Sequence, residues 1–563
     1  MALSKEQLLL LNNLIYTFNA QKPGTGNNYH TVSEWINSDS ISNLVNGKES
    51  QGSFVTAEDW KNITQAIRND PALSNLRIVA THVDTAENGG GGISMIFTDD
   101  STKEAIVLFK GTEGGEWKDN FIGGNVTDTE QQKNALKWYQ DAYKEYGLDQ
   151  YNVTVTGHSK GGNKSKYITI QDDTVDRCVS FDGQGFSDKF MNEYSDRIAA
   201  RQDKIENHNV DYDYVNLLLN DIGETTYYKG KDIGNGGGGF LENHCPNSYM
   251  EWNSDGNFTM EECPDGQPSE MKALDGFLNN CLRSLDDNER DKMLSMIHKF
   301  VMFGFDVSKK SPEDNWKDFK DIMHDADSAD ALPYLIAYFI QYERNNPEIA
   351  DQIRSALRKF GFEDYLKYVD TAESILNFSY DKDLLFGHVH LDFDDIMNVI
   401  NGAAGLIDAD WILNALVKLI KDKTGLDVNK DDLRLLLQMV NKVDQDMEHI
   451  HIENNGADIT ISPDRSAAAS SGAGHQFRVE PDKVRKSVSN LHTVAGDLQN
   501  FAGKAKDCSN KINFEISSAF RIKMSILRSE ENLIGITKKM DALADTLGIV
   551  LSEYEGTEKR LSS

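Results

Sequence analysis

The chain has 563 residues, 39% of them hydrophobic and 26% charged, enough apolar side chain for packed cores and room for three or four domains. Basic residues number 58 and acidic ones 90, and the net charge of −32 repels phosphate backbones, which excludes general nucleic-acid binding. The longest apolar run, Ala331 to Ile340, is about half of what a membrane span needs. The first residues, MALSKEQLLLLNN, lack a cationic region followed by an apolar stretch and a small-residue cleavage site, so no Sec-type signal peptide is expected. Five cysteines (Cys178, Cys245, Cys263, Cys281, Cys508) are scattered and odd in number, which fits neither a disulfide framework nor a zinc site.

In chain order, the first region alternates short β-rich runs with helical ones. Leu76–Val83, Ile93–Thr98 and Ala105–Phe109 read as strands, with Gly89 to Gly92 as the turn between the first two. Glu130–Tyr146 reads as a helix, Tyr151–Thr156 as a strand, and a helix starts at Lys160. Arg177–Phe181 and Tyr214–Leu219 are further strand candidates. Strands alternating with helices predict an α/β fold with a mostly parallel sheet over residues 1–265. Over 266–453 apolar residues recur at three and four, as in Met271, Leu274, Phe277, Leu278, Cys281, Leu282 and Leu285, and in 293–301, 332–342, 349–360, 396–420 and 433–443. That is a helical domain. Residues 454–475, with SPDRSAAASSGAGH, lack periodicity and predict a flexible linker. From Gln476 onward 14 basic and 12 acidic residues give +2, so the rest carries −34, and 476–563 is a separate module.

Gly157-His158-Ser159-Lys160-Gly161 fits G-x-S-x-G. Alone the pattern is weak, arising by chance roughly 0.2 times in a chain this long. Its context is stronger, because the β-run Val153-Thr154-Val155-Thr156 leads in and a helical run leads out, and a nucleophile elbow requires strand, sharp turn and helix. The helix N-terminus behind Ser159 offers oriented N–H groups to a developing oxyanion. A serine nucleophile needs a base and an orienting acid. Asp221 stands at the end of the expected strand Tyr214–Leu219, with Asp182, Asp213 and Glu224 as rivals. His244 follows, with His208 as rival, and the Gly-rich loop Gly234 to Gly239 lies between. The oxyanion donors expected are the backbone N–H groups of Thr112, after the run Ala105–Phe109, and Lys160.

The segment Val107-Leu108-Phe109-Lys110-Gly111-Thr112 with Trp117-Lys118-Asp119-Asn120 resembles the class 3 lipase-like families. Gly157-His158-Ser159-Lys160-Gly161-Gly162-Asn163 is similar to the GHSKGGN elbow of the Mbeg1-like branch, and Phe181-Asp182-Gly183-Gln184-Gly185-Phe186 to its DGxGF segment. Over residues 75–265 the resemblance implies a serine lipase or esterase of the α/β-hydrolase fold. It implies that Asp182 is structural and that Asp221 and His244 complete the triad with Ser159. The chain departs from the family pattern at Lys164, where a small or apolar residue is usual. No metal or cofactor is called for by such a mechanism.

In the last module Val484, Val488, Leu491, Ala495, Leu498, Ala502 and Ala505 step by four and three, and so do Leu533, Ile536, Met540, Leu543, Leu547, Val550 and Tyr554. Each is a seam of period 3.5, which predicts an antiparallel helical hairpin that binds other helices or folds back on the middle domain. Phe477-Arg478-Val479-Glu480-Pro481-Asp482-Lys483-Val484 and Tyr554-Glu555-Gly556-Thr557-Glu558 resemble the ends of the WXG100/LXG modules of type VII secretion substrates, without their Trp-x-Gly turn. A lipase domain followed by such a module is similar to type VII-secreted lipase toxins with reversed domain order. The resemblance implies export without a cleaved signal peptide, small helical WXG100-like partners on the hairpin, attack on membrane phospholipid of competing bacteria, and an immunity protein in the producer. The rival readings are a non-catalytic effector on a hydrolase scaffold and an intracellular esterase with an oligomerisation arm. Asp427–Asp431 opens like a calcium loop, but Asp432 stands where Gly is needed and Gln438 where Glu is. His388-Val389-His390 and His449-Ile450-His451 lack a third metal ligand in sequence, and Gly236 to Gly239 is followed by no Gly-Lys-Ser/Thr.

Overall fold

A computed structural model describes residues 2–463 except 19–28, 49–54, 85–91, 113–116, 218, 231–241, 305–310, 326–327, 361, 378–379, 385–386, 392, 394–415, 423–427 and 456–457. The chain divides into two compact units, residues 1–398 with 409–465, and residues 399–408 with 466–563. The second unit, which holds the expected hairpin, lies outside the described residues, as do Gly89 to Gly91 of the expected turn, residues 396–415 of the expected helical run 396–420, and the Gly-rich loop.

The first unit opens with helices. These are α1 (Lys5–Leu14), α2 (Val32–Ile36), α3 (Asp39–Val45), α4 (Ala57–Asn69) and α5 (Pro71–Ser74). Capping boxes start α1 (Ser4 with Gln7) and α4 (Thr56 with Asp59), satisfying N–H groups that the helix cannot pair internally. The strands and helices that follow are β1 (Arg77–Val83), β2 (Ile93–Asp99), β3 (Glu104–Phe109), α6 (Trp117–Ile122), α7 (Glu130–Glu145), β4 (Asn152–His158), α8 (Lys160–Gln171), β5 (Arg177–Phe181), α9 (Asp188–Glu193), α10 (Ser195–Arg201), β6 (Ile205–Val210) and β7 (Glu224–Tyr228). They build a seven-stranded sheet in the order β1 to β7, antiparallel at β1–β2 and β2–β3 and parallel from β3 to β7.

Both faces of this sheet are covered, as a parallel sheet requires. Along β3, Ile106 and Leu108 join a core with Leu8, Leu11, Leu14, Trp35, Trp60, Ile63 and Ile67 from the N-terminal helices. Ala105, Val107 and Phe109 alternate into the opposite core with Ala135, Tyr139, Ile168 and Ile170 of α7 and α8. The leucine run of α1 is buried all round, Leu8 to Leu11 being at most 4% exposed, so this helix is part of the core beneath the sheet.

A short hairpin, β8 (Glu251–Trp252) and β9 (Phe258–Thr259), leads into helices α11 (Ser269–Arg283), α12 (Asp287–Gly304), α13 (Pro312–His324), α14 (Ser328–Asn345), α15 (Pro347–Lys359) and α16 (Glu363–Leu376). Then come the hairpin β10 (Tyr380–Leu384) with β11 (Gly387–Leu391), helix α17 (Lys430–His449), and the hairpin β12 (Ile450–Asn455) with β13 (Asp458–Pro463). These helices fall in the same compact unit as the sheet. No described helix is long and apolar enough to cross a membrane.

One expected strand is not there. Described residues of 214–219 are bend and turn, and the strand in that part of the chain is β6, Ile205-Glu206-Asn207-His208-Asn209-Val210. Its polar composition hid it. Asn207, His208 and Asn209 are buried, and two of them find partners in the next segment, Asn207 Nδ2 donating to Ile222 O at 2.8 Å and His208 Nδ1 meeting the Tyr228 hydroxyl at 3.1 Å. Tyr214 and Leu217, which give 214–219 its strand-like look, are buried from a loop.

Candidate active site

The site grows from the C-terminal ends of β3, β4, β5 and β6, where chemistry in open α/β sheets collects. Strand β4 ends at His158 and α8 begins at Lys160, leaving Ser159 alone at the turn with φ +59° and ψ −124°. That conformation lies outside the regions L-residues prefer and is strain held by its surroundings. The flanking glycines are required by contact. A Cβ on Gly157 would stand 2.2 Å from the Gly161 carbonyl carbon, and one on Gly161 would stand 2.0 Å from Phe109 O. The serine N–H donates to Phe181 O of β5 at 2.9 Å, which seats the elbow on the neighbouring strand.

His244 reaches the serine from 85 residues downstream. Its Nε2 is 2.8 Å from Ser159 Oγ, and its Nδ1 is 2.9 Å from Asp213 Oδ1. Asp213 is fully buried and lies just past β6, and its other oxygen accepts the Asn216 N–H at 3.2 Å. A hydroxyl, an imidazole and a carboxylate in this sequence allow the imidazole to take the serine proton while the carboxylate holds its tautomer. Asp221, the acid expected from the sequence, is not part of this chain of contacts. Its Oδ1 is 2.5 Å from Lys166 Nζ, and Lys166, itself fully buried, also donates to Gly183 O at 3.1 Å. The acid that contacts His244 does follow a strand end, but that strand is β6 and not 214–219. Among the rivals Glu224 sits in β7, and His208 contacts Tyr228 on β6's neighbour.

Parallel pairing sets Phe109 opposite Gly157 and so carries Gly111 and Thr112 alongside the elbow. The Thr112 hydroxyl accepts from Asn120 Nδ2 at 2.9 Å, and Asn120 O accepts from Gln184 Nε2 at 2.7 Å, which ties this turn to α6 and to the loop after β5. Lys160 is the first residue of α8, where a backbone N–H has no intrahelical acceptor. Its ammonium is buried and ion-paired with Asp119 at 2.5 Å.

Asp182 is a second buried carboxyl beside the site, at φ +44°. Its Oδ1 accepts from Val210 N at 2.7 Å and Asn216 Nδ2 at 3.2 Å, and its Oδ2 from the Tyr249 hydroxyl at 2.5 Å. Burial, then the charge of Asp213, pushes its carboxyl well above the usual carboxylate range. His158, Asp182 and His244 could offer ligand atoms within 4.8 Å of one another. Both His244 nitrogens and both Asp182 oxygens are already engaged in the hydrogen bonds above. Neither Asn216 nor Asp182 carried a sequence signal for its contact with the acid loop, because β6 was not legible.

A family model described as Mbeg1-like matches residues 74–299. Lipase Lip2 of Yarrowia lipolytica is 12% identical with a TM-score of 0.27, covering 40% of this chain and 79% of its own. A triacylglycerol lipase of Penicillium expansum is 13% identical with a TM-score of 0.20, covering 28% and 70%. Lipase II of Rhizopus niveus is 13% identical with a TM-score of 0.22, covering 33% and 74%. No curated protein matches the sequence. The mostly parallel sheet with a strand-turn-helix elbow after β4 is of the α/β-hydrolase type, and the Mbeg1-like match spans all seven of its strands.

Proposed function

We propose that the chain is a serine carboxylic-ester hydrolase of lipase type, exported by the type VII route as an antibacterial toxin. The observation that carries the enzymatic part is the contact of His244 with Ser159 at 2.8 Å and with Asp213 at 2.9 Å, at an elbow held in a strained conformation. His244 Nε2 takes the proton of Ser159 as Oγ attacks the acyl carbonyl. The backbone N–H groups of Thr112 and Lys160 hold the oxyanion, and the imidazolium returns its proton to the leaving alcohol. Water, activated by the same imidazole, then attacks the acyl-serine and frees the acid. Asp213 takes the orienting role that the sequence resemblance assigned to Asp221.

The phospholipid substrate, the helical WXG100-like partners on 476–563 and the immunity protein rest on the sequence resemblance. Lipid product analysis by mass spectrometry on mixed phospholipid vesicles tests the activity. The intact chain is expected to release fatty acid and lysolipid, and Ser159→Ala to release none. Equal product from both would end the catalytic reading. Comparing supernatant with cytosol for chains with and without 476–563 tests the export role, which free export of the truncated chain would contradict.

A further inference from the structure

The N-terminal helix, far from the elbow in sequence and outside the region the family model matches, is tied to the site at three points. Asn12 Nδ2 donates to Thr156 Oγ1 in β4 at 3.0 Å. Asn13 Nδ2 donates at 3.1 Å to the carbonyl of Pro246, two residues past His244. Tyr16, in the 3-10 turn that follows α1, sets its hydroxyl 2.7 Å from Nδ1 of His158, the residue before the serine. We propose that Tyr16 is a positioning residue of the Ser159–His244–Asp213 site, acting through His158; this rests on the ester-hydrolase reading.

His158 is 3% exposed, and its ring centroid lies 4.8 Å from that of His244. Burial first, then the neighbouring His244, holds its basicity well below the ordinary histidine value, so the ring is neutral and carries one N–H. We assign the Tyr16 hydroxyl as the donor into Nδ1, which leaves the ring proton on Nε2. Nε2 is buried and makes no hydrogen bond among the described residues. One hydroxyl thus selects which nitrogen of the ring packed against the general base carries the proton. The same hydroxyl seats against the oxyanion turn, since a Cβ on Gly111 would stand 2.0 Å from it. Tyr16 therefore holds the strand end before Thr112 and the elbow together.

The test is Tyr16→Phe in the full chain, read by steady-state kinetics on a short-chain nitrophenyl ester and by labelling of Ser159 with a fluorophosphonate. The expected result is a kcat lower by about 10- to 100-fold with KM within about twofold, the loss typical of a misplaced catalytic group. Titration finds the same fraction of competent serines, each labelled more slowly, whereas a purely structural defect would lower the fraction and leave the per-site rate alone. His158→Phe is expected to match Tyr16→Phe, and the double variant to be no worse than His158→Phe. His158→Asn, which keeps an acceptor where Nδ1 stands, is expected to recover part of the loss. A wild-type per-site rate in Tyr16→Phe overturns the proposal, and independent multiplication of the two losses overturns the route through His158. If the parent chain itself neither turns over nor labels, the hydrolase reading fails, and this one with it.

Discussion

Replacing Asp213 and Asp221 separately by Asn separates the observed acid from the one the sequence suggested. Asp213 is fully buried and faces two donors, His244 Nδ1 and the Asn216 N–H. An asparagine offers one acceptor and one donor. If its oxygen keeps the Asn216 N–H, its NH2 faces Nδ1 and forces the imidazole proton onto Nε2, where it points at Ser159 and cannot accept the serine proton. The wrong tautomer costs about 10⁴ in kcat, or about 5 kcal/mol of transition-state stabilisation. Asp221→Asn instead leaves the buried Lys166 ammonium without its carboxylate. Removing one member of a buried pair costs about 3–5 kcal/mol. The 28% exposure of Asp221 and the remaining Gly183 O contact put this case nearer about 2–3 kcal/mol of stability. Urea unfolding and ester turnover per titrated active site read the two effects. The expectation is a folded, inactive Asp213→Asn and a less stable Asp221→Asn whose surviving folded molecules turn over normally. A fully folded Asp221→Asn that has lost kcat, beside an active Asp213→Asn, would refute the assignment.

The strain at Ser159 predicts that Ser159→Gly is more stable than Ser159→Ala by about 1 kcal/mol, because glycine relieves the φ of +59° at some entropic cost, while both are inactive; calorimetry of the pair checks this. Gly161→Ala, whose new methyl would stand 2.0 Å from Phe109 O, should lose soluble, labelled enzyme, and a normal labelling yield would contradict that contact. Glu206 is held down to about 2, chiefly by the bidentate Arg177 at 2.7 and 2.8 Å and then by His208. A depressed carboxylate contributes stability that is present above the unfolded value of 4.5 and lost as pH falls through about 2. With 41% of the Glu206 side chain exposed, the contribution is about 1 kcal/mol after screening. Glu206→Gln should therefore narrow its stability gap to the parent over that acid window, and a gap unchanged between pH 6 and pH 2 would count against the ion pair.

The strands around the elbow were legible because they alternate plainly. Arg177–Phe181 falls where its residues predict, and Val153-Thr154-Val155-Thr156 forms the middle of β4 and leads into the elbow as expected. A strand-turn-helix motif and a chain-order rule point to Ser159 and His244, and the structure sets their side chains 2.8 Å apart. The acid was misplaced because β6 buries Asn and His where the hydrophobic pattern looks for Val and Ile, while Tyr214 and Leu217 mimic a strand from a loop. Tyr16 was invisible for another reason. Nothing local in Leu14-Ile15-Tyr16-Thr17 marks its partner, which stands 142 positions away. The expected hairpin and the Gly-rich loop lie outside the described residues.

The burial of α1 also bears on how the protein is made. Its asparagines close on Thr156 and on Pro246, the latter 233 positions later. At 5–20 residues per second a ribosome needs about 10–50 s to supply that second contact. Through that interval the leucine-rich segment has only part of its docking surface, and the contact behind His244 closes only when residue 246 has emerged.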